Sequence, residues 1–169
     1  MSEGRINQNY VIQIGLLVKD IDKVAKAWAD FLGIPVPEIR LNNPYSITKA
    51  VYKGNPCPAR IKQTAFEFGN LEMELISPVD EQPSYWHDRL KEDGEGVNHI
   101  SFLIRDRDGV AHEMAHRSMP RLQTGIFKNG TYSFYDSVDE LKVYLEGLEI
   151  NTVPDDEFES TNPLAHDKK

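Results

Sequence analysis

Apolar and polar side chains alternate over residues 11–18, and this period of two predicts a β-strand with one buried face. Beyond this segment the period changes to that of a helix. Asp20, a favourable N-cap residue, is followed by apolar positions at helical spacing as far as Gly33, a common C-terminal stop. The first part of the chain therefore predicts a strand followed by an amphipathic helix.

The same pattern occurs a second time along the chain. The segment VIQIGLLVKDIDKVA, which begins at Val11, overlays without a gap on VNHISFLIRDRDGVA, which begins at Val97. Self-similarity of this kind predicts a duplicated structural unit. The overlay places Gln13 on His99, so a polar residue occurs at the same step of both copies.

Each copy is followed by enough chain for three further strands. The dipeptides Gly69-Asn70 and Asn129-Gly130 are typical of hairpin turns between such strands. The predicted strands cover residues 46–52, 60–68 and 71–77 in the first half and 124–127, 131–135 and 141–148 in the second. The pattern therefore predicts two βαβββ modules.

The modules account for most of the chain. The predicted organisation is a lead of residues 1–9, a first module over 10–78, a linker over 79–95, a second module over 96–150 and a tail over 151–169. We expect one short helix in the linker, capped by Ser84 and buried through Trp86 and Leu90. Trp28 and Phe31 are expected to fill the core. The tail is acidic and poor in apolar residues, so we expect it to be loose or to pack only peripherally.

Charge and composition limit the partners of the protein. The 169 residues include 19 Lys and Arg against 27 Asp and Glu, which gives a net charge of -8. A negative field repels phosphate backbones and anionic membranes, so nucleic-acid and membrane partners are not expected. The chain shows no apolar leader and no run of about 20 apolar residues that could cross a bilayer, and we expect a cytoplasmic protein.

Four polar side chains are placed to share one cleft. Because side chains alternate along a strand, Gln13 and His99 lie on the same face of equivalent strands. Glu74 lies in LEMELISP at the end of the first half, and Glu146 lies in VYLEGLE at the end of the second. If the halves pair about a pseudo-twofold axis, these strands converge and provide one nitrogen and three oxygen donors. Such a donor set suits a divalent metal ion.

Three stretches resemble the vicinal-oxygen-chelate superfamily, which includes glyoxalase I, methylmalonyl-CoA epimerase, extradiol dioxygenases and bleomycin-resistance proteins. They are IQIGLLVKDIDKVAKAWADFLGI, LEMELISP and GEGVNHISFLIRD, and the resemblance covers roughly residues 10–150. The resemblance implies an α+β fold of two tandem βαβββ modules that pair into a curved, barrel-like sheet around a cleft. It also implies metal ligands at Gln13, Glu74, His99 and Glu146.

The resemblance leaves the enzyme subclass open. Gln13 stands where epimerases and bacterial glyoxalases generally have His, and the set of Gln, Glu, His and Glu is similar to eukaryotic glyoxalase I. The segment GEGVNHISF and the single-chain double module are more similar to an epimerase. Extradiol dioxygenases hold iron with two His and one carboxylate, so Gln13 argues against that chemistry. Asn98 replaces a His that often precedes the ligand in relatives.

Such a site suits proton transfer next to a carbonyl group. A divalent ion acts as a Lewis acid on the oxygen that becomes negative when a neighbouring proton is removed. The resemblance implies Glu146 as the base, with Glu74 able to return a proton on the opposite face. We expect Zn, Ni, Co or Mn as the metal, a small-molecule carbonyl compound as the substrate, and a homodimer as the assembly.

Two other functions are compatible with parts of the sequence. A binding protein could sequester a drug or metabolite in the same cleft without chemistry, although resistance-type relatives usually lack the four ligands. The segment HEMAH at residues 112–116 fits the HExxH pattern of zinc proteases. However, helical spacing places His112 and His116 away from the buried face, and His166 in the tail is the one later histidine. The pattern therefore argues against a protease.

Overall fold

The computed structural model describes residues 5–7 and 10–151. The helices are α1 (Ile21–Leu32), α2 (Tyr45–Thr48), α3 (Tyr85–Asp93), α4 (Arg107–His116) and α5 (Val138–Leu141). The strands are β1 (Gln13–Leu17), β2 (Arg40–Leu41), β3 (Val51–Tyr52), β4 (Asn55–Pro56), β5 (Ile61–Phe68), β6 (Leu71–Pro78), β7 (Gly96–Leu103), β8 (Arg121–Phe127), β9 (Gly130–Tyr135) and β10 (Tyr144–Ile150). No helix within these described ranges has the length and apolar character needed to span a membrane.

The strands form one curled, half-barrel sheet in the order β2-β5-β6-β1-β7-β10-β9-β8-β3-β4. The equivalent strands β1 and β7 lie side by side at its centre and run antiparallel, with Ile14 opposite Ile100. These two isoleucines are partners in the sequence overlay, so a pseudo-twofold axis passes between them. The strand β6 flanks β1 in parallel and β10 flanks β7 in the same way. The predicted α+β fold is confirmed.

The long helices cover the convex face of the sheet. Ala25 and Ala29 of α1 pack in one apolar cluster with Leu75 of β6, and Val110 and Met114 of α4 pack in another cluster with apolar residues of the second half. In contrast, α3 lies against the concave side, where its aromatic residues join a cluster with apolar residues of β1, β6 and β9. The concave face is therefore left to α3 and to the cleft.

The predicted helix ends agree with the structure. The Asp20 carboxylate accepts a hydrogen bond from the Lys23 backbone N–H at 3.0 Å, and Gly33 ends α1 with φ at +69°. The Ser84 hydroxyl accepts from the His87 N–H at the start of α3. Each cap satisfies a backbone donor that a helix leaves free at its N-terminus.

The strand predicted at residues 46–52 is wrong except at its last two residues, which form β3. Residues 45–48 form the short helix α2, and β3 pairs with β8 of the second half as well as with the adjacent short strand β4. The second strand of the first module is instead β2, which pairs with β5. Tyr52 of β3 is buried, and its hydroxyl donates to Asp88 at 2.7 Å. Ala50 and Tyr52 of this segment are buried, whereas Ile47 is 53% exposed.

Other predictions need smaller corrections. The last strand begins at Tyr144 rather than Leu141, because the short helix α5 occupies the residues before it. Phe31 is 79% exposed and does not fill the core, and Trp28 is only partly buried, whereas Trp86 is buried as predicted. The predicted lead at 1–4 and 8–9 and the tail at 152–169 lie outside the described residues.

Candidate active site

The concave face of the sheet holds a cleft of about 490 Å³. Its polar floor contains Gln13, Glu72, Glu74 and Glu146, while Arg40 and Lys128 line it from strand β2 and the β8–β9 turn. Apolar side chains complete the walls, among them Ile76, Trp86, Tyr132, Phe134 and Leu148. Three of the four predicted ligands therefore line one cleft. The fourth, His99, is fully buried beside it.

The strand registers explain why these residues come together. Gln13 pairs with Glu72 and Gly15 pairs with Glu74 across β1 and β6. At the equivalent steps of the second half, His99 pairs with Tyr144 and Ser101 pairs with Glu146 across β7 and β10. Glu74 and Glu146 are therefore true structural equivalents, as their places near the ends of the two halves predicted.

The close approach of β1 and β7 depends on a small residue opposite each large polar one. Gly15 lies opposite His99, and a Cβ added to Gly15 would lie 1.9 Å from His99 Cε1. Ser101, the equivalent of Gly15, lies opposite Gln13. The imidazole therefore occupies space that only a glycine leaves open.

A chain of hydrogen bonds joins both halves across the axis. The Gln13 Nε2 donates to Glu72 Oε1 at 2.7 Å, and the Ser101 hydroxyl lies 3.1 Å from Gln13 Oε1. The same hydroxyl lies 2.5 Å from Glu146 Oε2. A serine hydroxyl carries one proton, so both of its contacts are hydrogen bonds only when Glu146 is protonated and donates to it.

The electrostatics of the floor favour that protonated form. Burial raises the pKa of Glu146 to about 8. The charge of Glu72 also raises this pKa, whereas the hydrogen bond from Ser101 lowers it. Burial also raises the pKa of Glu74 well above its usual value, and the charges of Glu146 and Glu72 add to the effect. The floor thus concentrates carboxyl groups that disfavour one another's ionisation.

His99 presents a nitrogen with no hydrogen-bond partner among the described residues. Its Nε2 is buried and lies 3.6 Å from Glu146 Oε2, beyond hydrogen-bond distance. Burial lowers the pKa of His99 to about 3, so the ring is neutral. The ring packs edge-on against Phe134, with 5.0 Å between the centroids. A buried ring nitrogen without a hydrogen-bond partner is a feature that ligand binding would explain.

A divalent cation fits the chemistry of this floor, since it would satisfy His99 Nε2 and offset the buried carboxylates. The present side-chain positions do not form a closed site, because no three His, Cys, Asp or Glu residues in the described ranges are arranged to hold a metal ion. Gln13 contacts Ser101, the hydrogen-bond partner of Glu146, and His99 lies near Glu146 itself. Glu74 faces the same floor.

Two polar residues, Glu72 in the floor and the fully buried Ser101 beside it, were not among the predicted site residues. Glu72 lies two positions before Glu74, and Ser101 lies two positions after His99, so strand alternation places each on the inward face. Their link to Gln13 depends on the pairing register between strands, which the sequence pattern does not specify.

The HEMAH segment lies on the outer helix α4. His112 and His116 are exposed, with 3.0 Å between their Nε2 atoms, and Glu113 forms an ion pair with Arg5 at 3.1 Å. Neither histidine lines the cleft. Within residues 5–7 and 10–151 no third ligand accompanies them, and His166 lies outside these ranges.

The fold and the inward-facing polar residues define a double βαβββ protein with a cleft on its concave sheet. A family model described as the Glyoxalase/Bleomycin resistance protein/Dioxygenase superfamily matches residues 12–135. The chain belongs to this superfamily, and the resemblance noted from the sequence is confirmed. The superfamily includes enzymes such as methylmalonyl-CoA epimerase as well as non-enzymes, and its members typically bind divalent metals.

Solved structures share the fold at low sequence identity. A hypothetical protein from Bacillus halodurans is 18% identical, with a TM-score of 0.56 and coverage of 84% of this chain and 94% of that one. Methylmalonyl-CoA epimerase from Mycobacterium tuberculosis is 16% identical, with a TM-score of 0.54 and coverage of 86% and 87%. A methylmalonyl-CoA epimerase in complex with methylmalonyl-CoA and NH4+ is 18% identical, with a TM-score of 0.56 and coverage of 85% and 95%. No curated protein matches the chain significantly.

Proposed function

We propose that the protein is a divalent-metal-dependent lyase or isomerase that moves a proton next to a carbonyl group through an enediolate. The observation that carries this proposal is the pair of equivalent carboxyl groups, Glu74 and Glu146, on the floor of one cleft. One of them lies 3.6 Å from a buried, unpartnered imidazole nitrogen. A structural role alone does not account for these carboxyl groups in one cleft, because the charge of each raises the cost of ionising another.

The proposed metal would be held by Gln13, Glu74, His99 and Glu146. When bound, it would supply Lewis-acid stabilisation of the negative oxygen that develops on the substrate. Zn, Ni, Co and Mn all accept one imidazole with oxygen donors.

The proton transfers are assigned to the two carboxyl groups. A general base works best when its pKa lies near the working pH, and burial raises the pKa of Glu146 to about 8. In its ionised form Glu146 takes the proton from the carbon next to the carbonyl. Glu74, on the other half of the floor, returns a proton to the opposite face or to the neighbouring carbon. The apolar walls limit the access of water to this exchange.

The substrate class follows from the family and from the cleft. The volume of about 490 Å³ suits a small molecule or one end of a larger one. We propose either a glyoxalase I-like hemithioacetal or a CoA thioester. Gln13 favours the glyoxalase type. The epimerase structures with the same fold, one of them in complex with methylmalonyl-CoA, favour the thioester. A cytoplasmic location and a homodimeric assembly remain predictions.

The proposal is tested by the uptake of solvent deuterium. The metal-loaded protein would be incubated in D₂O with a panel of acyl-CoAs, hemithioacetals and keto-sugars, and exchange would be followed by NMR. We expect exchange with one class, and a loss of about 100-fold or more in Glu146→Gln. Glu140→Gln removes an exposed carboxylate from α5 and should leave the exchange rate unchanged.

A non-catalytic binding protein is the second candidate. The arrangement of the acidic residues favours it in one respect, because no three potential ligands converge in the described part of the chain. The same panel separates the two functions. Absence of exchange with every class, together with absence of stoichiometric metal, would reject the enzyme and leave ligand sequestration in the cleft.

A further inference from the structure

The side of His99 that faces away from Glu146 meets a buried polar pair. The Tyr85 hydroxyl donates a hydrogen bond to Asn98 Oδ1, and the same oxygen lies 3.3 Å from His99 Nδ1. All three side chains are buried, with 8% of Asn98 and none of Tyr85 or His99 exposed. Asn98 is thus the polar contact of the imidazole on that side.

The contact has a consequence for the position of the imidazole proton. A neutral imidazole carries one N–H, and the other nitrogen has a lone pair. An amide oxygen only accepts, so the nitrogen that faces Asn98 Oδ1 must be the protonated one. The proton is therefore on Nδ1, and the lone pair is on Nε2, which faces Glu146 Oε2.

Tyr85 is itself held firmly enough to orient the amide. Its ring stacks on Phe134 at 3.9 Å between centroids and 4° between planes, and its backbone N–H donates to Gln123 at 2.8 Å. These partners belong to β9 and β8 of the second module, whereas Tyr85 opens the linker helix α3. The linker thereby contributes a fixed donor beside the site.

We propose that Asn98 and Tyr85 are positioning residues that hold His99 in the Nδ1–H tautomer, with its Nε2 lone pair directed toward the floor of the cleft. The use of that lone pair for a metal rests on the proposed function, whereas the tautomer itself does not. In metal sites generally, the hydrogen bond at the second nitrogen fixes the orientation of a histidine ligand. The structure assigns this role to an amide and a phenol rather than to a carboxylate.

The tautomer is measured directly in the metal-free, full-length protein. Long-range ¹H–¹⁵N correlation spectra of ¹⁵N-histidine-labelled protein distinguish a protonated nitrogen from one with a lone pair, and the His99 signals are those missing from His99→Gln. We expect protonated Nδ1 and unprotonated Nε2 in the wild type. In Asn98→Leu, which lacks the acceptor, and in Tyr85→Phe, which frees the amide to turn, we expect a mixture of both tautomers.

Tyr135→Phe is the matched control. Tyr135 is also buried in β9, but it packs in the cluster with Ile104 and Val110 on the convex side. Its variant should keep the wild-type tautomer. A proton on Nε2 in the wild type, or tautomer populations unchanged in both Asn98→Leu and Tyr85→Phe, would overturn the proposal. Tyr85→Phe keeps the aromatic ring, so the test remains decisive if Asn98→Leu does not fold.

Zn²⁺ affinity separates this inference from the proposed function. Competition with a chromogenic chelator should show binding weakened by about 10–100-fold in Asn98→Leu and unchanged in Tyr135→Phe. If the wild type shows the expected tautomer but takes up no metal, the proposed function fails while the positioning role stands. If metal binds equally tightly in wild type and Asn98→Leu, the orienting role in metal binding is rejected.

Discussion

Glu146 combines features that rarely occur in one carboxyl group. Its side chain is 5% exposed, contacts the Ser101 hydroxyl and lies near the neutral imidazole of His99. No described cation is paired with it, and burial with the nearby charge of Glu72 raises its pKa to about 8. Its ionisation near neutral pH therefore affects both the stability of the fold and the fraction of Glu146 that is ionised and able to act as a base.

The stability of the metal-free protein should fall as the pH rises from 6.5 to 8. A carboxyl group with a raised pKa binds more protons in the folded than in the unfolded state between its two pKa values, so folding weakens as pH rises through that window. For Glu146 the window runs from about 4.5 to about 8. The lowered pKa of His99 acts in the opposite direction below about 6.5, so the net fall is expected above that pH. We expect the free energy of unfolding in urea to fall by about 2 kcal/mol between pH 6.5 and 8.

Two variants isolate the contribution of Glu146 from that of other groups. Glu146→Gln cannot ionise, so its stability should depend less on pH and should exceed that of the wild type at pH 8. Glu140→Gln, with its exposed position on α5, should follow the wild type. Equal pH slopes in Glu146→Gln and wild type would show that the folded protein does not hold this carboxyl group neutral.

At the scale of elements, the sequence was most informative where a pattern repeats. The ungapped overlay predicted β1 with α1 and β7 with α4, and the structure adds that the two strands pair at the overlaid residues Ile14 and Ile100. The caps at Asp20 and Ser84 were also predictable, because capping is a local interaction between a side chain and the next turn.

The segment that forms α2, β3 and β4 was not predictable in the same way. The two-residue strands β3 and β4 are too short to show a period, and β3 pairs with β8 more than 70 residues further along the chain. The spacing of the buried residues in this segment, including Tyr52, resembles that of an ordinary strand. The residues that they contact are determined by tertiary packing against α3 and the second half. A local sequence pattern carries no information about such distant contacts.

The contact between β1 and β7 gives a prediction for Gly15→Ala. The added methyl group would lie 1.9 Å from His99 Cε1, so either the strands separate or the imidazole leaves its place. Overpacking of this kind typically costs about 1–3 kcal/mol. We expect urea unfolding to show a loss of that order and Zn²⁺ binding to weaken in the same variant.

A double-mutant cycle identifies the cause. In a His99→Ala background the space beside Gly15 is open, so Gly15→Ala should then cost much less than it does in the wild type. An equal loss of stability in both backgrounds would mean that the glycine is needed for the backbone of β1 and not for the imidazole.

At the scale of the whole molecule, the two halves of the fold are equivalent, but the residues at equivalent positions of the candidate site differ. Glu74 and Glu146 are equivalent, but Gln13 corresponds to His99 and Glu72 corresponds to Tyr144. The positions of the four predicted ligands could be inferred from the sequence because duplication and strand alternation determine them. The roles of Glu72, Ser101 and Asn98 could not, because they depend on register across the axis and on packing by the linker helix.

This asymmetry places a single imidazole at the shared floor, so metal binding by the whole molecule should depend on His99. At a metal concentration 100 times the dissociation constant, binding adds about 2.7 kcal/mol of stability. For a chain of this length the melting temperature should rise by about 5–10 °C, measured by differential scanning fluorimetry with Zn²⁺, Ni²⁺, Co²⁺ and Mn²⁺.

Four variants, three single and one double, test where that stabilisation arises. His99→Ala should abolish the rise, because it removes the buried nitrogen that lacks a partner in residues 5–7 and 10–151. His112→Ala and His116→Ala should preserve the rise, because those side chains are exposed on α4 and do not line the cleft. Two exposed histidines spaced four apart can still bind a metal loosely, so the double variant is needed to show that the tight site is elsewhere. Loss of the rise in that double variant, with retention in His99→Ala, would place the metal on α4 and reject the cleft as its site.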